Sequence, residues 1–392
     1  MREGNLQLLV GTQSLQAPAL FASYRLGDYP TSGLKCLPWA ITQTEAVLIN
    51  AYDFTRPKYA AWLNNGWNPN KYLQVGRRPF IIDSGAYYFL KNKTVAASPA
   101  EVLGIELRSQ AHIGVALDHP FLPDARDKAV RIARTLRNTA KMLALLSRSD
   151  GVRHMPLMPV VHGHTRRQIN GCISRLQQLR DRYCPSFLDH VGIGSIAPLA
   201  QRGHADLAVE VIHHVRTALP KARIHCFSMG SALLMLLAFY SGANSVDSQT
   251  WMVSAGFKLA QLPGHYVMRM AKREYNSEER FRLAMKQFGD RLGVLANEEG
   301  FTAKNWISGA AIDLTKGAVR RSYVAGLVDL VKNEHVHNRA CHNLWSFNFE
   351  VRRYRAALRA GELHGFLWSR LGQTRYASAL ERAIELVRLS RG

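Results

Sequence analysis

Five short apolar runs, each stopping on a polar residue or a glycine, constrain this chain more than any other feature. They are Phe80-Ile81-Ile82 into Asp83-Ser84-Gly85, Ile113 to Leu117 into Asp118, Leu157 to Val161 into His162-Gly163-His164, Val191 to Ile193 into Gly194-Ser195, and Ala243 to Val246 into Asp247. A run of this length reads as a strand buried on both faces. Helical segments separate the runs, so the pattern predicts a parallel sheet, and in a closed (β/α) barrel all strand ends meet at one mouth. Asp83 and Asp247 would then face one pocket although 164 positions separate them in the sequence (247 − 83).

The intervening segments carry helix signals. Ser98-Pro99-Ala100-Glu101 has a capping serine, a proline in the first turn and an acid near the positive helix end. Asp127 to Leu146 places Val130, Ala133, Leu136, Ala140, Leu143 and Leu146 at three- and four-residue spacing, which predicts an amphipathic helix buried along that stripe. Thr165 to Tyr183 and Ala205 to Leu219 repeat the design, and Ser231 to Tyr240 predicts a well-buried helix. Val47 to Asn50 reads as an early strand, whereas residues 1 to 45 read as irregular, punctuated by Pro30 and Pro38. The expected architecture is α/β, a (β/α)8 TIM barrel formed by a single unit over residues 1–392. A charged helical insertion is expected near 255–335, and helices over 340–392 complete the barrel.

Charge speaks to partners. Lys and Arg number 51 against 29 acids, a net charge of +22, and such an excess suits a polyanion. Five cysteines (Cys36, Cys172, Cys184, Cys226, Cys341) form no CxxC pair, which fits reduced thiols. With no apolar run of membrane-spanning length and no apolar region at the amino terminus, a cytoplasmic protein without membrane partners is expected.

The strand ends, taken in order, resemble the queuine and archaeosine tRNA-guanine transglycosylase family. Ile82-Asp83-Ser84-Gly85-Ala86-Tyr87 is similar to its Asp-Ser-Gly-Gly-aromatic motif, and Val115-Ala116-Leu117-Asp118 to its base-selecting aspartate strand. Val160-Val161-His162-Gly163 stands where the family has Val-Gln-Gly, and Val191 to Ala197 resembles its Gly-Gly-Leu-Ala turn. Phe227-Ser228-Met229-Gly230-Ser231 resembles its Met-Gly-Val-Gly-Thr helix start, Ser241 to Asp247 its nucleophile strand, and Cys341-His342-Asn343-Leu344 its His-Asn-Leu helix. The resemblance covers roughly residues 75–250 and 340–370.

It implies a set of roles. Asp247 would be the nucleophile at C1′ of the sugar, and Asp83 the general acid–base. Asp118 would accept from the N1–H and 2-amino edge of a guanine-like base. His162, in place of a glutamine, would donate to O6. Gly194 and Ser195 would offer backbone N–H groups to the same edge, Ser84 joins the base-binding set, and Tyr87 and Phe227 would sandwich the base. On pattern alone, a turn with a capping aspartate explains Asp247 equally well, a helix cap explains Asp118, and core packing explains Phe227.

Two departures from the family bear on the substrate. Residues 252–340 contain no cysteine where the family carries three zinc ligands, so no metal or other cofactor is expected. Were zinc bound, it would fall to His335, His337, Cys341 and His342. The family's basic segment after the nucleophile is replaced by Ser248-Gln249-Thr250-Trp251-Met252. The branch that inserts 7-deazaguanine bases into DNA, the DpdA type, is the closer resemblance. It implies DNA and a preQ0-like base as substrates, with accessory proteins possible. The alternatives are a tRNA transglycosylase and a catalytically silent, nucleic-acid-binding partner subunit.

Overall fold

A computed structural model describes residues 7–11, 13–27, 33–90, 97–148, 155–264, 266–330 and 334–390. The chain divides into two compact units, one of residues 1–25, 45–248 and 364–392, the other of 26–44 and 249–363.

The first unit is a barrel of parallel strands: β1 (Ala19–Ser23), β2 (Ala46–Asn50), β3 (Phe80–Asp83), β4 (Ile113–Val115), β5, β6 (His190–Ile193), β7 (Arg223–Cys226) and β8 (Ser245–Ser248). β5 comes in two segments, Leu157–Met158 and Val160–Val161, on either side of Pro159, whose nitrogen has no proton to give to a ladder. Its first segment pairs with β4 and its second with β6. β8 pairs with β1, Ser245 opposite Ala19 and Ser248 opposite Ala22, so eight strand positions form a ring.

Six of the eight strands fall where the apolar runs predict them. β1 corrects the reading of residues 1–45 as irregular: Ala19–Ser23 is buried throughout, and a hairpin of Gln7–Val10 and Gln13–Gln16 precedes it. β7, Arg-Ile-His-Cys, was absent from the expectation because polar residues alternate with apolar ones along it.

Side-chain alternation fills the interior. Ala19 and Phe21, Ala46 and Leu48, Ile81, Ile113 and Val115, and Met158 and Val160 form one cluster, joined by Leu8, Val10 and Leu15 of the hairpin. The same two-residue step carries β3 and β5 from the apolar layer to a polar end, Ile81 to Asp83 and Val160 to His162.

The flanking helices start where their caps lie. Ser98 and Glu101 form a reciprocal capping box at Pro99–Arg108. Thr165 caps Arg166–Tyr183 and Ser231 caps Ala232–Tyr240, which is buried from Ala232 to Phe239. Lys128–Leu146 forms as predicted but buries a different stripe, with Arg131, Ile132, Thr135, Thr139, Met142 and Leu143 inside, whereas Val130 is exposed. Polar residues turn inward here because they hold the loop after β4. Thr135 Oγ1 accepts from His119 N–H at 2.9 Å, and Arg131 Nη1 donates to Pro120 O at 2.9 Å. Helix Ala377–Leu389 packs on Ala205–Ala218 and Ala232–Tyr240 within this unit.

The second unit contains the expected 255–335 segment. Two short antiparallel pairs, Leu259–Leu262 with Tyr266–Arg269 and Ala303–Lys304 with Ala311–Ile312, accompany helices Glu278–Glu299, Gly317–Ala325 and Val336–Ala360. Its core gathers Phe288, Leu292, Phe301, Trp306 and Leu327. Asn343 is a structural clasp: Nδ2 donates to Trp251 O and Leu259 O, and Oδ1 accepts from Gln261 N–H. Among the described residues, no helix is long and apolar enough to cross a membrane.

Candidate active site

The carboxyl ends of β3, β4 and β8 bring Asp83, Asp118 and Asp247 to one mouth. Their mutual influence is electrostatic: burial first, then the charges of Asp118 and Asp247, push the Asp83 carboxyl well above the usual carboxylate range. The Gly85 N–H, 3.1 Å from Asp83 Oδ2, opposes that shift without cancelling it. Gly85 sits at φ +80°, and a Cβ there would lie 2.5 Å from Tyr52 Cβ, so the turn after Asp83 requires glycine. Tyr87 follows on the short helical turn Ala86–Phe89 and is exposed.

Asp118 is buried and belongs to a continuous hydrogen-bond chain. Ser84 Oγ donates to its Oδ1 at 3.2 Å, and His162 Nε2 lies 2.9 Å from its Oδ2. A carboxylate only accepts, so Nε2 is the donor in this bond. Ser195 Oγ lies 2.9 Å from Nδ1 and accepts the Phe121 N–H at 3.0 Å. His162 is therefore spent on the protein at both nitrogens. To donate to a base, its ring would have to break the Asp118 bond.

Glycine makes room for that ring. A Cβ on Gly194 would stand 2.3 Å from His162 Cε1. Gly194 N–H donates to Val161 O at 3.0 Å within the barrel ladder. Ser195 adopts φ 62°, a left-handed conformation that costs a non-glycine residue about 1–3 kcal/mol. The bend holds Ser195 O 3.0 Å from His164 Nε2 and Oγ between His162 and Phe121.

Asp247 is anchored through one oxygen. Its Oδ1 accepts from the Ser228 N–H at 2.7 Å and lies 3.4 Å from His225 Nε2. His225 Nδ1 is 2.9 Å from Ser245 Oγ, so the ring bridges two positions of β8 from inside the barrel. Ser228, like Ser195, is left-handed, at φ 59°. The half-buried Phe227 packs edge-on to His225, 4.7 Å between centroids, in space that a Cβ on Gly192 would invade at 2.3 Å from Phe227 Cε2.

The structure thus brings together Asp83, Ser84, Asp118, His162, Gly194, Ser195, Phe227 and Asp247. The sequence reading missed His225, Ser228 and Ser245. The legible signal was period two: His225 lies two residues before Phe227, and Ser245 two before Asp247.

Of the residues considered for zinc, His337 and Cys341 lie side by side, with Cys341 Sγ 3.7 Å from His337 Nε2, and the histidines have further protein partners. His337 Nδ1 accepts from Lys35 N–H at 3.3 Å and its Nε2 faces Trp306 O at 2.9 Å. His342 Nδ1 meets the Tyr323 hydroxyl at 2.7 Å, and burial pushes its pKa down to about 3. His335 pairs with Glu334. Among the described residues, no group of three His, Cys, Asp or Glu side chains is arranged to hold a metal ion.

No protein-family profile matches the chain. Individual relatives do. It is 29% identical over 179 residues to the tRNA-guanine(15) transglycosylase of Pyrobaculum aerophilum, covering 45% of this chain and 34% of that protein. It is 26% identical over 215 residues to the protein of the same name from Archaeoglobus fulgidus, covering 54% and 42%. The match to the Pyrococcus abyssi protein of that name runs over 303 residues at 21% identity, covering 75% and 43%. The chain thus spans less than half the length of each of these relatives.

Proposed function

We propose that this chain is a pentosyltransferase, a guanine transglycosylase that exchanges a base in a polynucleotide. The observation that carries the proposal is the meeting of Asp83, Asp118 and Asp247 at one barrel mouth, with the Asp83 carboxyl raised by burial first and then by the other two. A raised carboxyl and an anchored carboxylate side by side suit acid–base work and nucleophilic attack respectively.

In this reading an Asp247 oxygen attacks C1′ of the target nucleoside as the C1′–N9 bond breaks. The departing guanine takes a proton at N9 from Asp83, leaving an aspartyl-glycosyl ester. Asp83, now ionised, accepts the N9 proton of an incoming 7-deazaguanine. That base attacks C1′ and releases Asp247. Splitting the exchange lets one site serve both half-reactions. Asp118, oriented by Ser84 and His162, accepts from the donor edge of the base, and the Ser195 N–H meets its acceptor edge. Tyr87 and Phe227 stack on its faces.

The names of the relatives support tRNA as the polynucleotide. A DNA substrate rests on a different observation. Ser248 to Met252 contains no cation, and Trp251 and Met252 are buried. One experiment tests the activity and both substrates. Labelled preQ0-like base is offered to tRNA and DNA together at equal guanine concentration, and nucleosides are read by mass spectrometry. Label in tRNA alone sinks the DNA reading, and label in DNA alone sinks the tRNA reading. Label in neither, with no adduct surviving a denaturing gel, sinks the transglycosylase and favours a silent binding subunit.

A further inference from the structure

The base-exchange chemistry leaves the connection from β2 to β3 unused. This connection leaves Asn50 at the same end of the barrel as Asp83, its neighbour across the ladder. The turn Ala51–Thr55 touches the turn after Asp83 through Tyr52, whose ring lies 5.2 Å from Tyr88 and 4.7 Å from Phe89. Helices Pro57–Asn64 and Pro69–Tyr72 follow.

Composition here is lopsided. From Phe54 to Ile82 there are five cations, Arg56, Lys58, Lys71, Arg77 and Arg78, and no Asp or Glu. Aromatic rings are interleaved with them. Trp67 lies 4.7 Å from Tyr72 and 5.5 Å from Trp62, and Trp62 lies 5.2 Å from Tyr59. The Lys58 ammonium sits 4.9 Å over the Trp62 ring. Tyr72 is 47% exposed, and Trp62 and Trp67 are half-buried.

The exposed residues between Pro57 and Arg78 include Lys58, Asn64, Asn65, Lys71, Tyr72, Gln74 and Arg77, but no Leu, Ile, Val or Met. Rings set among cations and amides, on a segment that carries no acid from Phe54 to Ile82, match a nucleic-acid strand. Every nucleobase offers a π-face to such rings, and its phosphate pairs with a cation.

We propose that this surface is a stacking platform for nucleotides flanking the reacting guanine, with Tyr72 supported by Trp67 as the exposed ring and Lys58 and Lys71 taking phosphates. The proposal rests on the polynucleotide reading given above and adds where the strand runs. It also supplies an anchor that holds the neighbours while the target base leaves its stack.

Fluorescence anisotropy with short guanine-containing single strands of DNA and of RNA, and with their duplexes, tests it in the 392-residue chain. Tyr72→Ala is expected to weaken single-strand binding about tenfold and to reduce the quenching of tryptophan fluorescence by the strand. Tyr72→Phe, which keeps the ring, should bind within about twofold of wild type. Lys71→Gln should lower the slope of log affinity against log salt by about 0.7 on single strands. Circular dichroism establishes that each variant is folded. Binding by wild type that Tyr72→Ala leaves unchanged overturns the platform while the polynucleotide reading stands. Wild type that binds no polynucleotide at all overturns both.

Discussion

His225 Nε2 lies 3.4 Å from Asp247 Oδ1, across neighbouring strands of the barrel interior, and the same oxygen takes the Ser228 N–H at 2.7 Å. Both donors converge on Oδ1, which leaves Oδ2 uncommitted among the described residues and makes it the oxygen that would attack in the proposed exchange. A donor on the distal oxygen holds the carboxylate plane and leaves the reacting lone pairs alone.

His225 is on this geometry a positioning residue for Asp247, the proposed nucleophile. His225→Phe should lower kcat for base exchange about tenfold with KM little changed, because the polynucleotide touches other groups. His225→Gln, which restores an N–H, should recover part of the loss. Steady-state kinetics on the three proteins decide it. Equal kcat in wild type and His225→Phe would show that Ser228 alone suffices. Asp247→Asn is the harsher control: exchange and the gel-stable adduct should both vanish while binding persists.

The raised Asp83 carboxyl has a sign that can be read in a pH profile. Below its folded pKa the group holds the proton that the departing guanine needs, so adduct formation should fall as pH rises through that value. Asp83→Asn cannot supply the proton, and its rate should drop about a hundredfold or more and lose the alkaline limb. Single-turnover adduct formation over roughly pH 6 to 9 is the measurement. Matching profiles in wild type and variant would remove Asp83 from the proton transfer.

Glu106 offers a stability test that is independent of catalysis. It is fully buried on the helix Pro99–Arg108. Oε1 accepts from Val115 N–H at 3.0 Å, and Oε2 has no hydrogen-bond partner. Burial above all, with a smaller push from Asp83, raises its pKa well above the ordinary glutamate value. The folded state therefore holds a proton that the unfolded state has already lost above about pH 4.3. Its contribution to stability is full below that pH and is lost as pH rises toward the folded pKa. Glu106→Gln should flatten this dependence, gaining on wild type at about pH 8 relative to about pH 5 in urea denaturation. Parallel curves at the two pH values would mean that Glu106 titrates alike in both states.

Much of this site was legible because the barrel imposes one rule on every strand, an apolar run closed by a polar residue. That rule found Asp83, Asp118, His162 and Asp247. It failed at Arg223–Cys226, where the inward side chain is His225 and the apolar Ile224 and Cys226 are its out-of-phase neighbours. It failed again on Lys128–Leu146, because Thr135 and Arg131 are buried to hold His119 and Pro120, a requirement that hydropathy does not record. In both cases the polar residues are inside because they hydrogen-bond to neighbouring groups there.

Gly194 tests whether the hydrogen-bond chain selects the base. A Cβ there would stand 2.3 Å from His162 Cε1 and 2.9 Å from His162 Nδ1, closer than real contacts allow, so one of the two must move. Gly194 N–H is held by Val161 O in the ladder, which pins the backbone, so the ring is the part that yields. Displacing it breaks the bonds to Asp118 Oδ2 and Ser195 Oγ together and leaves Asp118, the proposed base-selecting group, with its Ser84 bond but without its His162 bond. Overpacking of this kind costs about 1–3 kcal/mol of stability, which a large barrel core tolerates. Gly194→Ala should therefore stay folded with a lowered Tm and raise KM for the incoming base by about tenfold, with a smaller effect on kcat. If Tm falls while KM for the base is unchanged, the His162 ring serves the fold alone and base selection rests on Asp118 and Ser84.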